Sequence, residues 1–265
     1  EREKVDLIVS LGDFPPWSLR KEFFKYCYKK EGVELWDVVG KKKFKELTIK
    51  DNQTGEEILK KLNKFSVPVF TTLGNSDHPI DDVTDIKDSR SKKIFKKLGL
   101  KENHFQEEIG GYKNIKEISY RVVRFGNFVF IGMRGGSFPG HVKSKAYRKH
   151  RKILDILFKK YKKEKIIFVS HNVPYDTKLD KVTDKDAHKL AKGKHFGSKL
   201  TRRIINRWQP LLCLAGHIHE SSGKDKIGKT LVVNPGAAED GKAAIINLDE
   251  KGECTICGVK YRTDA

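Results

Sequence analysis

Cysteine is scarce in this sequence, and this scarcity argues against some classes of protein. Only four cysteines occur in 265 residues, at positions 27, 213, 254 and 257, which argues against a disulfide-stabilised secreted scaffold. Cys254 and Cys257 have the spacing of half a zinc ribbon, but the sequence has no second pair. We therefore expect reduced structural thiols and a cytoplasmic compartment.

Long apolar runs are lacking as well. No run of about 18 apolar residues occurs, so we expect no membrane span, and no signal peptide is visible. The sequence also shows no internal repeat and no low-complexity linker. We therefore expect one domain over residues 1–265, long enough to bury a substantial core.

Acidic residues are too few to balance the basic ones. The 35 Asp and Glu residues oppose 55 Lys and Arg, which gives a net charge of +20 and a pI of about 9.6. Such an excess suits either a polyanionic partner such as nucleic acid or a lysine-rich surface of the kind found in thermophiles. Because the lysine runs are dispersed along predicted helices, we favour the lysine-rich surface. Nucleic acid is then expected to bind only weakly and in a salt-sensitive way.

What the sequence does contain is an alternation of short apolar strands with amphipathic helices, which predicts an α/β fold. Helices are predicted at four places, near residues 18–28, 91–98, 144–163 and 198–208. Thr54 is predicted to cap a further helix that runs through residues 57–62. A hairpin is predicted around Gly126, and the tail from residue 230 is predicted to form antiparallel strands.

Four of the predicted strands end at residues that commonly bind metal ions. These ends are Gly-Asp at 12–13, Gly-Asn-Ser-Asp at 74–77, His171, and Gly-His-Ile-His at 216–219. Open α/β sheets bind their ligands at strand ends. Side chains alternate along an extended segment, so we expect His217 and His219 to point to the same side.

The side chains at these strand ends form a donor set of carboxylate, amide oxygen and imidazole. That set suits Mn²⁺, Fe or Zn²⁺ better than Ca²⁺, and a shared carboxylate suits a two-metal hydrolytic centre. The alternative for each segment is an ordinary Asx turn or a solvated loop histidine. The agreement of four segments favours a metal centre.

The ordered motifs resemble those of the calcineurin-like metallophosphoesterases. That family carries Asp-x-His, Gly-Asp, Gly-Asn-His-Asp/Glu, a lone His and Gly-His-x-His, and four of these five blocks occur here in order over nearly the whole chain. The runs at 171–175 and 232–236 are most similar to a small prokaryotic, archaeal branch. The resemblance implies a four-layer α/β/β/α sandwich of two packed mixed sheets flanked by helices.

Two departures from the family pattern bear on the chemistry. The Asp-x-His block is absent, so either its strand precedes residue 1 or two ligands of one metal position are missing, and we favour the first. Ser76 occupies the position at which most of the family has a catalytic histidine. The proton for the leaving group must then come from another residue or from water.

The resemblance implies a role for each metal-binding candidate. Asp13 is expected to bridge two metal ions, and Asn75 to bind the second through its amide oxygen. His171 and His217 are expected to complete the second metal position, and His219 to bind the first. Two divalent transition ions are implied, with Mn²⁺ favoured over Fe, Zn²⁺ or Ni²⁺.

Four further side chains have less specific signals. Asp77 is expected to orient the loop that carries Asn75. His78 could supply the missing proton, although it also suits a solvent-facing loop. Arg134, in a glycine-rich loop, could clamp a phosphate with its planar guanidinium, and the alternative is a surface arginine. His195 could line the site from the loop before a helix, or simply lead into that helix.

Together these features predict a metal-dependent phosphoesterase. In the implied mechanism, two cations lower the pKa of water to form a hydroxide and offset the charge of an in-line displacement. Phosphodiesters with an acidic leaving group are favoured because they depend less on a general acid. The expected partner is a small-molecule or nucleotide phosphoester, with no membrane partner. The alternatives are a catalytically silent scaffold of the same fold and a nuclease.

Overall fold

Two α/β units make up the chain. The computed structural model describes residues 4–28, 30, 32–77, 89–136, 142–183 and 191–249, together with the backbone of 254–260. Unit 1 comprises Glu1–Asp81 and Ile86–Glu117, and unit 2 comprises Asp82–Asp85 and Ile118–Ala265. Each unit has its own sheet and helices, which confirms the predicted α/β class with two sheets. The prediction of one domain over residues 1–265 stays a prediction.

A three-stranded parallel sheet forms the centre of unit 1. Its strands are β1 Ile8–Ser10, β2 Val69–Thr71 and β3 Ile115–Glu117, in the order β1-β2-β3. Val69 pairs with Ile8 on one side and with Ile115 on the other. Parallel strands need crossover connections, which are usually helical, and the helices of unit 1 lie between these strands in the sequence.

The described residues of unit 1 form five α-helices. They are α1 Arg20–Glu22, which continues as a π-helical turn at Phe23–Cys27, α2 Leu35–Val39, α3 Lys41–Asn63, α4 Ser89–Leu98 and α5 His104–Gly110. The prediction that Thr54 caps a helix is wrong. Thr54 lies inside α3 and donates its hydroxyl to the Lys50 carbonyl oxygen at 3.1 Å, a bond that a helix-interior threonine can make.

Apolar clusters of buried side chains stabilise the part of unit 1 that the structure describes. The first joins α3 and α5 to the sheet and consists of Phe14, Leu59, Val69, Leu73, Phe105, Ile109 and Ile115. The second joins α2, α3 and α4 and consists of Leu19, Trp36, Phe44 and Phe95. The predicted helix over residues 91–98 is therefore confirmed, and it packs in the second cluster through Phe95.

A six-stranded mixed sheet forms the centre of unit 2, in the order β4-β5-β6-β7-β9-β8. The strands are β4 Val122–Phe125, β5 Phe128–Met133, β6 Lys165–Asn172, β7 Leu212–Gly216, β8 Gly223–Ile227 and β9 Thr230–Asn234. The inner strands β5, β6, β7 and β9 are parallel, and β4 and β8 run antiparallel at the edges. The predicted hairpin around Gly126 is confirmed by β4 and β5.

Two serine-capped helices pack in unit 2. They are α6 Lys145–Lys160 and α7 Lys199–Trp208, close to the predicted bounds. Ser144 Oγ accepts the Tyr147 N–H at 2.9 Å, and Ser198 Oγ accepts the Thr201 N–H at 3.1 Å, as helix N-caps do. Both helices contribute buried side chains to one core with the sheet.

The tail differs in part from the predicted antiparallel strands. β9 pairs with the unpredicted strand β8 in antiparallel fashion but with β7 in parallel. β10 Lys242–Leu248 and β11 Cys254–Lys260 form a separate antiparallel ribbon. The apolar alternation therefore predicted strands correctly, but it did not identify their partners.

The thiols of Cys27 and Cys213 are free and buried. Burial raises the pKa of the Cys213 thiol, so this group is unreactive near neutral pH, as expected of a structural thiol. The side chains of Cys254 and Cys257 lie outside the described residues. Among the residues that are described, no helix combines the length and apolar composition needed to cross a bilayer.

A pair of α6 substitutions tests the unit 2 core. Leu154 is 0% exposed and Ile156 is 56% exposed, although both lie on the same helix. Leu154→Ala should lower the free energy of unfolding by about 2–5 kcal/mol because it leaves a cavity, and Ile156→Ala by less than about 1 kcal/mol. Urea unfolding measures both, and equal losses would contradict the assigned packing.

Candidate metal centre

The loops after β1 and β2 approach each other closely in unit 1. Gly12 has a φ of +86°, a conformation that favours glycine. A Cβ atom on Gly12 would overlap the Gly74 backbone, and one on Gly74 would overlap the Asp13 carboxylate. The glycines of the two predicted motifs are therefore required by this approach, which the sequence alone could not show.

Asp77 ties these two loops together. Its carboxylate is buried, and it accepts the backbone N–H groups of Asp13 at 2.8 Å, Phe14 at 2.9 Å and Gly74 at 2.6 Å. Asp13 itself accepts the Ser76 N–H at 2.7 Å and has a φ of +61°, a strained value for a residue with a side chain. The predicted orienting role of Asp77 is confirmed by these bonds.

The same loops concentrate negative charge. Burial, followed by the neighbouring Asp13 carboxylate, raises the pKa of Asp77 to about 7, and its three backbone donors partly oppose the rise. A cation beside Asp13 would offset this repulsion. Asn75, between Gly74 and Ser76, is half-buried in the same loop, so unit 1 brings Asp13 and Asn75 to one cluster. His78 lies outside the described residues.

In unit 2, three predicted residues lie at one edge of the sheet. Arg134 directly follows β5, His171 is the penultimate residue of β6, and His217 directly follows β7. Parallel strands end at a common edge, so these residues are neighbours. The register between β6 and β7 shifts between Ser170 and Asn172, which makes His171 a bulge residue. Bulges often re-aim side chains near functional sites.

His171 and His217 form the tightest pair of candidate ligands in unit 2. His171 Nε2 lies 3.3 Å from His217 Nδ1, and His171 is buried while His217 is half-buried. Two ligands of one ion at the usual metal–nitrogen distance of about 2.0–2.1 Å can be this far apart. The pair therefore fits a shared metal ion.

The prediction that His217 and His219 share an extended segment is wrong. β7 ends at Gly216, and His217 has a φ of +74°, so the alternation of a strand does not continue through it. His219 lies beside Glu239, with 3.3 Å between Nδ1 and Oε1. The structure therefore pairs His217 with His171 and places His219 with a carboxylate.

Asn234 is a positioning residue for which the sequence motifs predicted no role. It ends β9, and its amide nitrogen donates to the carbonyl oxygens of Ile218 at 2.8 Å and Ser221 at 3.0 Å. Its amide oxygen accepts the Gly236 N–H at 3.0 Å. The side chain thus holds the loop that carries His219. The Val-Val-Asn-Pro-Gly run was the available signal.

Arg134 is anchored on an aromatic stack and is not a freely solvated surface arginine. Its guanidinium carbon lies 5.8 Å from the centre of the Tyr120 ring, and Tyr120 stacks on His150 with the ring centres 4.5 Å apart. Burial, followed by the positive charges of Arg134 and Lys149, lowers the pKa of His150 to about 4. Arg134 is therefore held at the strand edge.

His195 is held by a buried carboxylate. Its Nδ1 lies 2.7 Å from Asp180 Oδ1, and its backbone forms a β-bridge with Lys181. The residue therefore does more than lead into α7. Asp180 was not among the predicted site residues, since no local pattern links it to a histidine 15 residues away.

Comparison with known proteins finds a matching family and a relative of similar sequence. A family profile described as metallophosphoesterase, calcineurin superfamily, matches residues 1–254. The uncharacterized protein MJ1162 of Methanocaldococcus jannaschii is 36% identical over 152 residues, which cover 54% of this chain and 65% of that protein. The chain thus spans just under two thirds of that relative.

One solved structure shows a likeness at the level of the fold. One crystal structure matches with a TM-score of 0.62 and 19% identity, covering 97% of this chain and 89% of its own, so the two chains share a fold. The crystal structure of TT1561 of Thermus thermophilus matches with a TM-score of 0.46 and 15% identity, covering 79% of each chain.

The Asp77 bonds predict a stability loss in metal-free protein. Asp77→Ala deprives three backbone N–H groups of their acceptor, two of them buried, so the free energy of unfolding should fall by about 3 kcal/mol or more. Asp51→Ala is the matched control, because Asp51 accepts the Ser18 N–H at 3.1 Å in an exposed setting; its loss should stay below about 1 kcal/mol. Urea unfolding in EDTA that shows similar losses would contradict the role of Asp77 in tying the two loops.

The His150 environment predicts a pH dependence of stability. In the folded protein the pKa of His150 is about 4, below its ordinary value of 6.5. The contribution of His150 to the free energy of unfolding is therefore fully present above pH 6.5 and is lost as the pH falls towards 4. The loss should reach about 3 kcal/mol at most. His150→Gln should flatten the curve of stability against pH in this window, because it removes the titrating imidazole. The prediction would be contradicted if the free energy of unfolding depended on pH in the same way in His150→Gln and in the wild-type protein.

Proposed function

Because this chain belongs to the calcineurin superfamily of metallophosphoesterases, we propose that it is a metal-dependent phosphodiesterase. Family membership supports hydrolysis of phosphoric esters in general, and the preference for diesters is our proposal. The observation that carries it is the contact of 3.3 Å between the His171 and His217 ring nitrogens. Two imidazole rings that lie this near to each other are stabilised when both bind the same cation.

The proposed ligands are Asp13, Asn75, His171, His217 and His219. The first two belong to unit 1 and the histidines to unit 2, and their combination in one centre rests on the family resemblance. Two divalent transition ions are proposed, with Mn²⁺ favoured because the set mixes oxygen and imidazole donors.

His219 would exchange its present partner for a metal ion. Its side chain is 45% exposed and that of Glu239 is 74% exposed. An ion pair as exposed as this contributes little to stability, so its loss is a small cost. The position of His219 is therefore compatible with a ligand role.

When bound, the metal ions would lower the pKa of water and polarise the phosphoryl group. The chain's own residues would hold this arrangement in place. Asp77 fixes the backbone on which Asp13 is carried, and Asn234 fixes the loop of His219; such supporting bonds orient ligands. Arg134, held at the strand edge, would bind a phosphate oxygen through its planar donors.

The preference for diesters follows from the residue at position 76. A serine hydroxyl cannot act as a general acid near neutral pH, and the backbone N–H of Ser76 already donates to Asp13. A leaving group that is stable as an anion depends less on a proton donor. Aryl phosphodiesters are therefore the substrates on which activity should be easiest to detect.

A small-molecule or nucleotide phosphoester is the proposed substrate in preference to long nucleic acid. A groove of about 570 Å³ along α7 is lined by Lys199, Arg202, Arg203, Asn206 and Arg207. Two of these cations already have partners within the protein: Arg202 donates to the Asp176 carbonyl at 2.7 Å, and Arg207 to Asp155 at 3.4 Å. These contacts favour a structural role for the basic residues of α7 over a role in binding nucleic acid.

The catalytic proposal is tested with full-length protein reconstituted with Mn²⁺. It should hydrolyse bis(4-nitrophenyl) phosphate, and EDTA should remove the activity. Asp13→Ala and His217→Ala should each reduce turnover to background, because each removes a proposed metal ligand. His104→Ala, which changes a histidine outside the proposed site, should retain activity.

Metal content separates the enzyme from the silent scaffold. Elemental analysis after reconstitution should find at least about one equivalent of transition metal, and less than about half an equivalent would favour the scaffold. Activity that survives both Asp13→Ala and His217→Ala would show that the site is assigned wrongly.

A further inference from the structure

A histidine and two glutamates form a compact group within unit 1, and none of them is a proposed catalytic ligand. The group consists of Glu56 on α3 and of His104 and Glu108 on α5. Each offers one ligand atom, an imidazole nitrogen or a carboxylate oxygen, and these atoms all lie within 4.8 Å of one another. His104 Nε2 lies 3.0 Å from Glu56 Oε1. Imidazole and carboxylate are donors that bind Zn²⁺ in proteins.

Helix spacing places two of these ligands on one face of α5. His104 and Glu108 are four residues apart in the helix, so their side chains are neighbours on its surface. Both are half-buried, whereas the intervening Gln106 and Glu107 are exposed. His104 and Glu108 therefore lie on the side of α5 that meets Glu56 of α3.

The backbones that carry the three ligands are held in close contact. A Cβ atom on Gly55, which precedes the ligand on α3, would lie 2.5 Å from Cζ of Phe105, which follows the histidine on α5. A larger residue in place of Gly55 would therefore collide with the Phe105 ring. Leu59, Phe105 and Ile109 belong to one buried apolar cluster, which restrains both helices. A metal site needs its ligands to be carried on rigid elements of this kind.

The group contains two carboxylates and a single imidazole, so negative charge is concentrated there. Burial, followed by the carboxylates of Glu108 and Glu56, raises the pKa of the Tyr112 hydroxyl, so both charges act on one neighbour. Lys60 Nζ lies 3.8 Å from Glu56 Oε2, but the Lys60 side chain is 59% exposed, and such an exposed ion pair contributes little. A divalent cation would balance both carboxylates, whereas an ion pair with the imidazole balances one.

The spacing of the ligand atoms is close to that around a single ion. Ligands at about 2.0–2.1 Å from one ion lie at most about 4.2 Å apart, which is less than 1 Å or so below the 4.8 Å that bounds this group. Rotation about the bonds of the glutamate side chains can supply this small difference. Three protein ligands leave a coordination position for water.

We propose that Glu56, His104 and Glu108 bind one Zn²⁺ ion, which joins α3 to α5. The ion would complete its coordination with water. It would stabilise unit 1, because the three ligands are brought together only in the folded protein. The proposal does not rest on the proposed function, since it uses none of the catalytic ligands. The competing interpretation is an ion pair between His104 and Glu56 that binds no metal.

Equilibrium dialysis of full-length protein against micromolar Zn²⁺ tests the proposal, with bound zinc measured by elemental analysis. Wild-type protein should bind one equivalent more than His104→Ala, because the variant lacks the imidazole ligand. This difference is independent of how much metal the proposed catalytic centre holds. The metal content of His104→Ala is therefore the value that reports on the catalytic centre without a contribution from this site.

Glu108→Gln and Glu107→Gln are the matched pair of variants. They remove the same charge from adjacent positions of α5, but the Glu107 side chain is 55% exposed and lies 2.8 Å from Lys101 Nζ. Glu108→Gln should weaken zinc binding by more than about 10-fold, since even loss of a group that orients a ligand costs about 10–100-fold. Glu107→Gln should weaken it by less than about twofold, because solvent and salt screen an exposed charge.

Nitrogen-15 NMR of the imidazole rings shows where the ion binds and does not depend on activity. Zn²⁺ should shift the ring nitrogen resonances of His104 in the wild-type protein and in Glu107→Gln. At the same zinc concentration the shift should be reduced or absent in Glu108→Gln. Both glutamate variants keep the imidazole, so they decide the question even if His104→Ala does not fold.

The outcomes separate this site from the catalytic proposal. Equal zinc content in wild type and His104→Ala, equal weakening in the two glutamate variants, or His104 resonances that do not respond to Zn²⁺ would overturn the site and leave an ion pair. A protein without phosphodiesterase activity that still loses one equivalent in His104→Ala would overturn the proposed function and support the site.

Discussion

Parallel pairing of strands is the constraint on which the candidate site depends. In the sheet of unit 2, β5, β6 and β7 run in the same direction, so their carboxyl ends share an edge. Arg134, His171 and His217 become neighbours at that edge although they are far apart in the sequence. β1 and β2 of unit 1 obey the same rule, and their ends carry Asp13 and Asn75.

Buried polar side chains then hold the loops that leave these edges. Asp77 accepts backbone N–H groups from both loops of unit 1, Asn234 bonds the loop of His219, and Asp180 bonds the loop before α7. A buried polar group without partners would be costly, and each of these three has several. The loops that carry Asp13, Asn75 and His219 are thus restrained without regular secondary structure, which is how a site can be held ready for its ligand.

Sequence patterns predicted local elements well and their partners less well. The helices at Lys145–Lys160 and Lys199–Trp208 were predicted within a few residues because an amphipathic period and a capping serine are both local signals. Thr54 also has the local signal of a cap, yet it lies inside a helix of 23 residues. Strand β8 was missed because its residues are mostly charged, and the parallel pairing of β9 with β7 depends on a crossover that no local pattern records.

The sequence by itself determined which donors follow which strands, since glycine, aspartate, asparagine and histidine occur there as contiguous motifs with a known chemistry. Tertiary structure alone decided how those donors are used. His217 follows its strand in a left-handed backbone conformation and contacts His171. His219 lies beside Glu239, and His195 contacts the Asp180 carboxylate. The physical reason is that these contacts join residues 15 to 46 positions apart. Strand register and loop closure set such distances, and neither has a local sequence period.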